Sequence, residues 1–188
     1  ALSEDALHRM QLYDIHEAAC DMLRAGESDK GIVSRHFNRE MGITDEVADE
    51  MGIGTITDFQ KFQLTLMKAG NWSEEDITNA GLKPSMFGPT ILSYAIHNPS
   101  GRCIAFAGRD WRFDGRFGVE LNKMTVDGRG VERMRPKWVN SSLSPIYEKV
   151  NTLYGYHKAK RYNLDAKVYV VEGYADAAAL WSYGIDNV

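Results

Sequence analysis

The N-terminal half of the chain has the hydrophobic spacing of short helices. Apolar residues recur at intervals of three and four positions, as they do on the buried face of an amphipathic helix. Ser3, Thr44 and Ser73 each precede acidic residues and can cap a helix start. The pattern predicts helices over residues 3–25, 28–40, 45–48 and 58–69, and another from Ser73 to Ala80.

The period changes to that of β-strands after residue 90. Residues 91–96 and 103–107 are apolar runs, and Asn98-Pro99-Ser100-Gly101 between them is typical of a hairpin turn. Residues 119–121 and 124–126 are a further candidate strand pair, and residues 153–162 are predicted to be helical. The first half is therefore predicted to be helical and the middle to contain an antiparallel sheet.

The C-terminal segment has the order strand, carboxylate, helix. Residues 168–171 are a short apolar run of the kind found in a buried parallel strand, Glu172 follows it, and a helix is predicted over 175–183. Residues 185–188 resemble the start of another strand. Ligands of open α/β sheets lie beyond the carboxyl ends of strands, so Glu172 and Asp176, four residues apart, are placed to bind a divalent metal or move a proton. The alternative is that both only stabilise the helix N-terminus.

Composition narrows the class of protein. The chain has 188 residues, of which 44% are hydrophobic and 26% charged, and no apolar run approaches the roughly 20 residues of a membrane span. Two distant cysteines, Cys20 and Cys103, cannot form a zinc site alone, and they argue against a disulfide framework. We therefore expect a reducing, cytoplasmic setting, and no membrane partner. The five histidines show no ligand spacing and are expected at the surface or at helix ends.

The net charge is −4, but acidic and basic residues are distributed unevenly along the chain. Residues 1–101 carry 8 basic and 16 acidic residues, residues 102–167 carry 14 and 7, and residues 168–188 carry three acidic residues and none that are basic. A basic middle beside an acidic end suits a surface for a polyanion next to a cation site. Exposed loops that simply collect arginine and lysine would give the same distribution, so charge alone leaves both interpretations open.

Four ordered blocks of the sequence resemble the catalytic core of bacterial DnaG-type DNA primases. Residues 170–185 resemble the first motif of the Toprim domain, and residues 136–155 resemble the segment before it, with two lysines twelve positions apart. Residues 101–109 resemble the family's hairpin strand, and 42–47 with 79–82 fit upstream. The resemblance implies an α+β fold. It predicts a helical and β N-terminal subdomain over 1–165, and the first strand and helix of an α/β Toprim subdomain over 166–188.

The resemblance implies the synthesis of RNA primers from NTPs on single-stranded DNA, with Mg²⁺ or Mn²⁺ as cofactor. Glu172 matches the acidic Toprim residue, a general base or metal ligand, and Asp176 would be its companion in the metal site. Lys137 and Lys149 would contact nucleotide phosphates or the initiating nucleotide. These assignments suit nucleotidyl transfer, because the negative charge that develops at the phosphate needs cations around it.

Other positions are implied to form a basic groove. Arg109 would line this groove, and Asn140 and Ser141 would shape it. The resemblance also implies a replicative helicase as a partner.

The sequence departs from the family in its carboxylates. The later Asp-x-Asp residues of Toprim and the family's zinc-binding module do not occur in it. We therefore expect the chain to be inactive alone, or to be completed by a second chain carrying the rest of Toprim. The alternative is a non-catalytic relative that binds single-stranded nucleic acid or docks in the replisome.

The sequence also departs from the family in its basic residues. Residues 86–91 lack the family's basic approach to the hairpin, whereas the loop between Arg109 and Pro136 is longer than usual. That loop carries Arg112, Arg116, Lys123, Arg129, Arg133 and Arg135. We predict that it takes over part of the template contact, as in a divergent, phage-encoded primase. Aromatic residues around 106–117 either stack on bases or pack within the loop.

Overall fold

A computed structural model describes residues 2–24, 40–114, 124–162 and 167–188 of the chain. The described helices are α1 (Glu4–Arg24), α2 (Asp45–Met51), α3 (Phe59–Gly70), α4 (Glu74–Asn79), α5 (Tyr156–Ala159) and α6 (Tyr174–Ser182). The strands are β1 (Ile53–Gly54), β2 (Ile91–His97), β3 (Cys103–Asp110), β4 (Met124–Val126), β5 (Glu132–Met134) and β6 (Trp138–Asn140). Short 3₁₀ helices cover Trp111–Asp114 and Lys149–Asn151.

The N-terminal helices begin where the sequence predicts. The side chains of Thr44 and Asp58 accept hydrogen bonds from backbone N–H groups three residues on, and Ser73 forms a capping box with Asp76. These caps satisfy N–H groups that have no partner inside the helix. The helices predicted from 3, 45, 58 and 73 are confirmed, whereas residues 28–39 of the predicted second helix lie outside the described residues.

The predicted hairpin forms the centre of the main sheet. Strands β2 and β3 pair antiparallel, from Ile91 opposite Asp110 to His97 opposite Cys103. The side chain of Asn98 closes the turn, since its Oδ1 accepts hydrogen bonds from the N–H groups of Ser100 and Arg102. In the described part of the chain the strand order is β1-β2-β3-β6, and β4 pairs with β5 in a separate hairpin. Residues 119–121, the predicted partner of 124–126, lie outside the described residues.

The two faces of this sheet are covered differently. On one face Phe106 stacks against His16 of α1 and meets Phe87 edge to face, with ring centroids 5.1 Å apart. On the other face Tyr94 packs against Trp138 and Tyr174. All of β3 except Asp110 is buried between these layers. Both faces of the sheet are thus covered, and one of them packs aromatic residues against Tyr174 at the start of α6.

Close packing explains a glycine within β3. A Cβ atom at Gly108 would lie 2.7 Å from the Cα of Met86 and 2.9 Å from the Ile91 side chain. Only a residue without a side chain allows the segment around Met86 to cross the sheet here.

The predicted burial of residues 168–171 is wrong. Val168 is 55% exposed and Val170 is 84% exposed, and no strand ladder forms there within the described residues. The N–H of Tyr169 donates to the carbonyl of Asn187 at 2.8 Å, so residues 185–188 do lie alongside. A parallel strand is buried by flanking strands and by helices on both faces, and the described residues do not supply them.

Two further predictions need correction. The helix predicted over 153–162 is limited to Tyr156–Ala159, and it begins only after Gly155 because that residue is in the left-handed region, with φ of 80°. Three of the five histidines are buried: His157 still lies at a helix end, as predicted, whereas His16 within α1 and His97 in β2 contradict the prediction. None of the described helices is both long and apolar enough to cross a bilayer. The predicted domain boundary at 165/166 lies outside the described residues and stays a prediction.

Candidate functional site

Strand β6 and the start of helix α6 meet through an aromatic cluster. The Tyr174 ring packs perpendicular to Trp138 and Tyr154, with centroids 5.0 Å and 4.8 Å away. Its hydroxyl donates to Asn140 Oδ1 at 2.7 Å. Because Tyr174 opens α6 directly after Glu172 and Gly173, this contact joins the carboxylate-bearing turn to the main sheet.

A cavity of about 650 Å³ opens at this junction. Asn140, Lys149 and Glu172 all line it, so three of the residues proposed from the sequence come together. Lys160 adds a second ammonium group to the lining. The remaining wall is largely aromatic and aliphatic, from Trp138, Tyr154, Tyr156, Tyr162, Tyr169, Tyr174 and neighbouring residues. The cavity therefore combines cationic groups and one carboxylate with apolar surface.

The two carboxylates lie at the N-terminus of α6, and both are exposed. A Cβ atom at Gly173 would lie 2.9 Å from Asp176 Oδ2, so the Asp176 carboxylate folds back over the first turn of the helix. That position favours stabilisation of the helix N-terminus. In the part of the chain that the structure describes, no three His, Cys, Asp or Glu side chains are grouped to hold a metal. Two carboxylates alone supply fewer oxygen ligands than Mg²⁺ or Mn²⁺ takes, so a metal at this position would need ligands from further residues.

Arg109 lies beneath the site rather than in an open groove. It is only 7% exposed, and its guanidinium group lies over the Trp138 ring, 5.4 Å from the centroid. Burial raises the pKa of Tyr94 well above its ordinary value, and nearby Arg109 opposes this while Asp176 adds to it. Arg109 thus contributes a fixed positive charge near Asp176, held by an aromatic face.

Ser141 joins the end of β6 to strand β3. Its Oγ accepts from the N–H of Phe106 at 2.9 Å and donates to the carbonyl of Phe106 at 3.2 Å. These bonds fasten the residue after β6 to strand β3. Asn140, one position earlier, is thereby fixed at the cavity.

The basic loop residues fall into two groups. Arg112 binds Asp110 through two hydrogen bonds of 2.9 Å and 2.6 Å, and Arg133 binds Asp127 at 2.7 Å. Hydrogen bonds to Asp110 raise the pKa of Arg112. The side chains of Arg129, Arg135 and Lys137 are exposed. Arg116 and Lys123 lie outside the described residues.

Sequence reasoning missed the contacts that join the C-terminal part of the chain to the N-terminal half. The buried Lys158 Nζ lies 2.8 Å from Glu50 Oε2 and 3.7 Å from Asp186 Oδ1. The Ser182 hydroxyl accepts from the N–H of Thr44 at 2.9 Å. These partners are more than a hundred residues apart in the chain, except Asp186, and no local pattern links them. Trp138, Tyr154 and Tyr174 lie within the motifs at residues 136–155 and 170–185, but nothing in their spacing indicates that they pack on each other.

Comparison with known proteins gives one consistent family. The family model described as "DNA primase catalytic core, N-terminal domain" matches residues 24–160. The DNA primase of Clostridium acetobutylicum is 26% identical over 160 residues, which cover 85% of this chain and 24% of that protein.

Two solved structures show the likeness of fold. The Aquifex aeolicus primase, with zinc-binding and RNA polymerase domains, superposes with a TM-score of 0.71 at 23% identity, covering 96% of this chain and 41% of that one. A DnaG primase catalytic domain bound to ssDNA gives 0.66 at 24% identity, covering 96% and 55%. The predicted α+β fold is confirmed. The chain spans about a quarter of the length of the curated relatives it matches.

Proposed function

The chain belongs to the family of the DNA primase catalytic core, N-terminal domain, and on that premise we propose that it binds single-stranded DNA and nucleotide phosphates as part of a DNA primase. The whole enzyme would synthesise RNA primers from NTPs. The observation that carries this proposal is the convergence of Asn140, Lys149 and Glu172 on one cavity, which Lys160 also lines.

The proposed roles follow from the chemistry of nucleotidyl transfer. A 3′-hydroxyl attacks an α-phosphate, and the charge that develops on the phosphate is stabilised by fixed cations and N–H donors. Lys137 and Lys149 would supply those cations, and Lys149 is in the cavity lining. Arg109 would add a buried positive charge behind them. Contacts of this type bind phosphates without reading the base sequence.

Glu172 and Asp176 would act on the other side of the cavity. We propose that Glu172 accepts the proton of the attacking hydroxyl or, with Asp176, supplies carboxylate oxygens to Mg²⁺ or Mn²⁺. A bound divalent cation would stabilise charge on the phosphate oxygens. Its other protein ligands would come from residues of the Toprim subdomain beyond these two, within the same polypeptide or on a second chain. On this proposal the 188-residue chain does not polymerise nucleotides by itself.

The basic loop is proposed to contact the template. Arg129, Arg135 and Lys137 are exposed beside the β4–β5 hairpin and would bind the DNA backbone. Arg116 is included in the same proposal on its sequence position. Arg112 is expected to contribute less, because Asp110 already holds its guanidinium group.

A second candidate function is favoured by the position of Asp176, which folds back over the first turn of α6 where it can stabilise the helix N-terminus. A primase relative that binds single-stranded nucleic acid without catalysis would need the basic residues and not a metal site. This alternative shares every phosphate contact proposed above. A replicative helicase remains a predicted partner in either case, on the resemblance alone.

Binding of a fluorescein-labelled single-stranded oligonucleotide, followed by fluorescence anisotropy, tests the proposal. The double variant Lys137→Ala/Lys149→Ala should weaken binding about tenfold. It should also make the affinity depend less on salt concentration, because each lost phosphate contact means that fewer counterions are released on binding. Lys68→Ala, on an exposed helical position of the acidic half, is the matched control and should leave binding unchanged. Equal affinity of the double variant and the native chain would overturn the proposal.

A further inference from the structure

The hydrogen bond between Tyr174 and Asn140 fixes the orientation of an amide group. An asparagine side chain has an accepting carbonyl end and a donating NH₂ end. The Tyr174 hydroxyl donates to Asn140 Oδ1 at 2.7 Å, which commits the carbonyl end to the start of helix α6. The NH₂ end, on the opposite side of the amide carbon, is then left for the cavity that Asn140 lines.

Tyr174 is well suited to hold that orientation. Its ring is enclosed by Trp138, Tyr154 and Tyr94, at centroid distances of 5.0, 4.8 and 6.1 Å. A ring held on several sides places its hydroxyl at one point. A tyrosine hydroxyl is protonated at neutral pH, and burial raises the pKa of Tyr174 further, to about 12; the geometry directs this proton towards Asn140 Oδ1.

The neighbours of the amide indicate what it would bind. Lys149 and Lys160 line the same cavity, and a polyanion offers acceptors to both ammonium groups and to an NH₂ donor. The aromatic walls suit a planar base. A ligand with three linked phosphates and a base uses both parts of this lining.

We propose that Tyr174 is a positioning residue, which turns the Asn140 NH₂ group into the cavity to donate to a bound nucleoside triphosphate. This inference rests on the proposed function and goes one step further, since it names the residue that selects a donor at this position. The Tyr174 hydroxyl acts on the ligand through Asn140, to which it donates. It also couples the position of Asn140 to the turn that carries Glu172, because it opens the helix that follows.

A double-mutant cycle tests this, with binding of ATP in the presence of Mg²⁺ measured by isothermal titration calorimetry. Tyr174→Phe keeps the ring and removes only the hydroxyl, and should weaken ATP binding about three- to tenfold. In an Asn140→Ala background the same change should have no further effect, because the amide it orients is gone. Tyr183→Phe, at an exposed position on the other end of the helix, is the control and should bind as the native chain does.

The outcomes separate a structural role from a positioning role. Weakening by the same factor with and without Asn140, or no weakening in either background, would overturn the inference, and thermal unfolding of each variant reports any loss of fold separately. Lys149→Ala distinguishes the two levels of the account. If it weakens ATP binding and Tyr174→Phe does not, only the positioning role fails; if the native chain binds no ATP, the proposed nucleotide site fails with it.

Discussion

Two segments of this chain, strand β2 and residues 168–171, are both apolar runs typical of strands, but their surroundings are opposite. β2 lies between β1 and β3, and nearly all of its side chains are buried. Residues 168–171 form no ladder with another strand among the described residues, and the side chains of Val168, Tyr169 and Val170 are exposed. The difference teaches that an apolar run predicts a preference for strand, whereas burial depends on which neighbours the fold supplies.

The same difference divides the candidate site. Arg109, Asn140 and Ser141 are held by the finished sheet, where each is fixed by packing or hydrogen bonds. Glu172 and Asp176 follow the exposed segment and lie at an open helix start. On the proposed function, phosphate binding and carboxylate chemistry are therefore separable in this chain, because the carboxylates belong to the start of α6 and the proposed basic residues belong to other segments.

The largest expected effect compares the two segments in their stability. Phe106→Ala should lower the free energy of unfolding by about 3–5 kcal/mol, because the ring is fully buried against His16 and Phe87. Val170→Ala should change it by less than about 0.5 kcal/mol, since that side chain is mostly exposed. Urea unfolding of both variants measures the contrast. Comparable losses would mean that residues 168–171 are packed in solution.

Acid should weaken the packed region through its buried histidines. Burial lowers the pKa of His16 to about 4, and burial with His157 and Arg24 nearby lowers that of His97 to about 3. Burial also lowers the pKa of His157 to about 4. The folded state keeps these rings neutral while the unfolded chain binds protons below about pH 6.5, so stability is full above that pH and falls as the pH drops towards 4.

We expect a loss of about 1–2 kcal/mol for each of His16 and His97 between pH 7 and pH 5. Urea unfolding at the two pH values measures the sum. His97→Gln should make the remaining dependence shallower, since one of the titrating rings is absent. A stability that does not change over this range would contradict the buried placement of these residues.

Removing one charge on each side of the cavity tests whether the basic residues bind DNA independently of the carboxylates. Lys149→Ala should weaken binding of a single-stranded oligonucleotide severalfold, because it removes a phosphate contact. Glu172→Gln should leave that affinity within about twofold or raise it slightly, since it removes only a negative charge from the cavity. Anisotropy titrations at one salt concentration compare the two. A large loss with Glu172→Gln would show that the carboxylate takes part in binding DNA.

The smallest effects distinguish the two groups of loop arginines. Arg112→Ala should cost about 1 kcal/mol of stability and little affinity, because its guanidinium group is bound to Asp110. Arg135→Ala should do the reverse, with a two- to threefold loss of oligonucleotide affinity and unchanged unfolding. The same two assays suffice. If Arg112→Ala were the more damaging to binding, its ion pair with Asp110 would have to open on DNA.

Local signals predicted much of this fold. Thr44, Asp58 and Ser73 cap helices through hydrogen bonds to N–H groups three residues on, and Asn98 closes its turn through the N–H of Arg102. Because these hydrogen bonds are local, the sequence pattern predicts the helix starts and the turn. The packing of Tyr174 on Trp138, and of Lys158 on Glu50, joins distant parts of the chain. Such contacts depend on the assembled fold. The motif positions were found by resemblance, while the orientation of Asn140 became visible only with the structure.

One measurement tests most directly the claim that this chain binds but does not catalyse by itself. The purified 188-residue chain is incubated with single-stranded DNA, labelled NTPs and either Mg²⁺ or Mn²⁺, and the incorporation of label into RNA is followed. We predict binding of the DNA without primer synthesis under either metal. Primer synthesis that is lost in the Glu172→Gln variant would contradict the account, because Glu172 and Asp176 would then suffice as the protein's carboxylates.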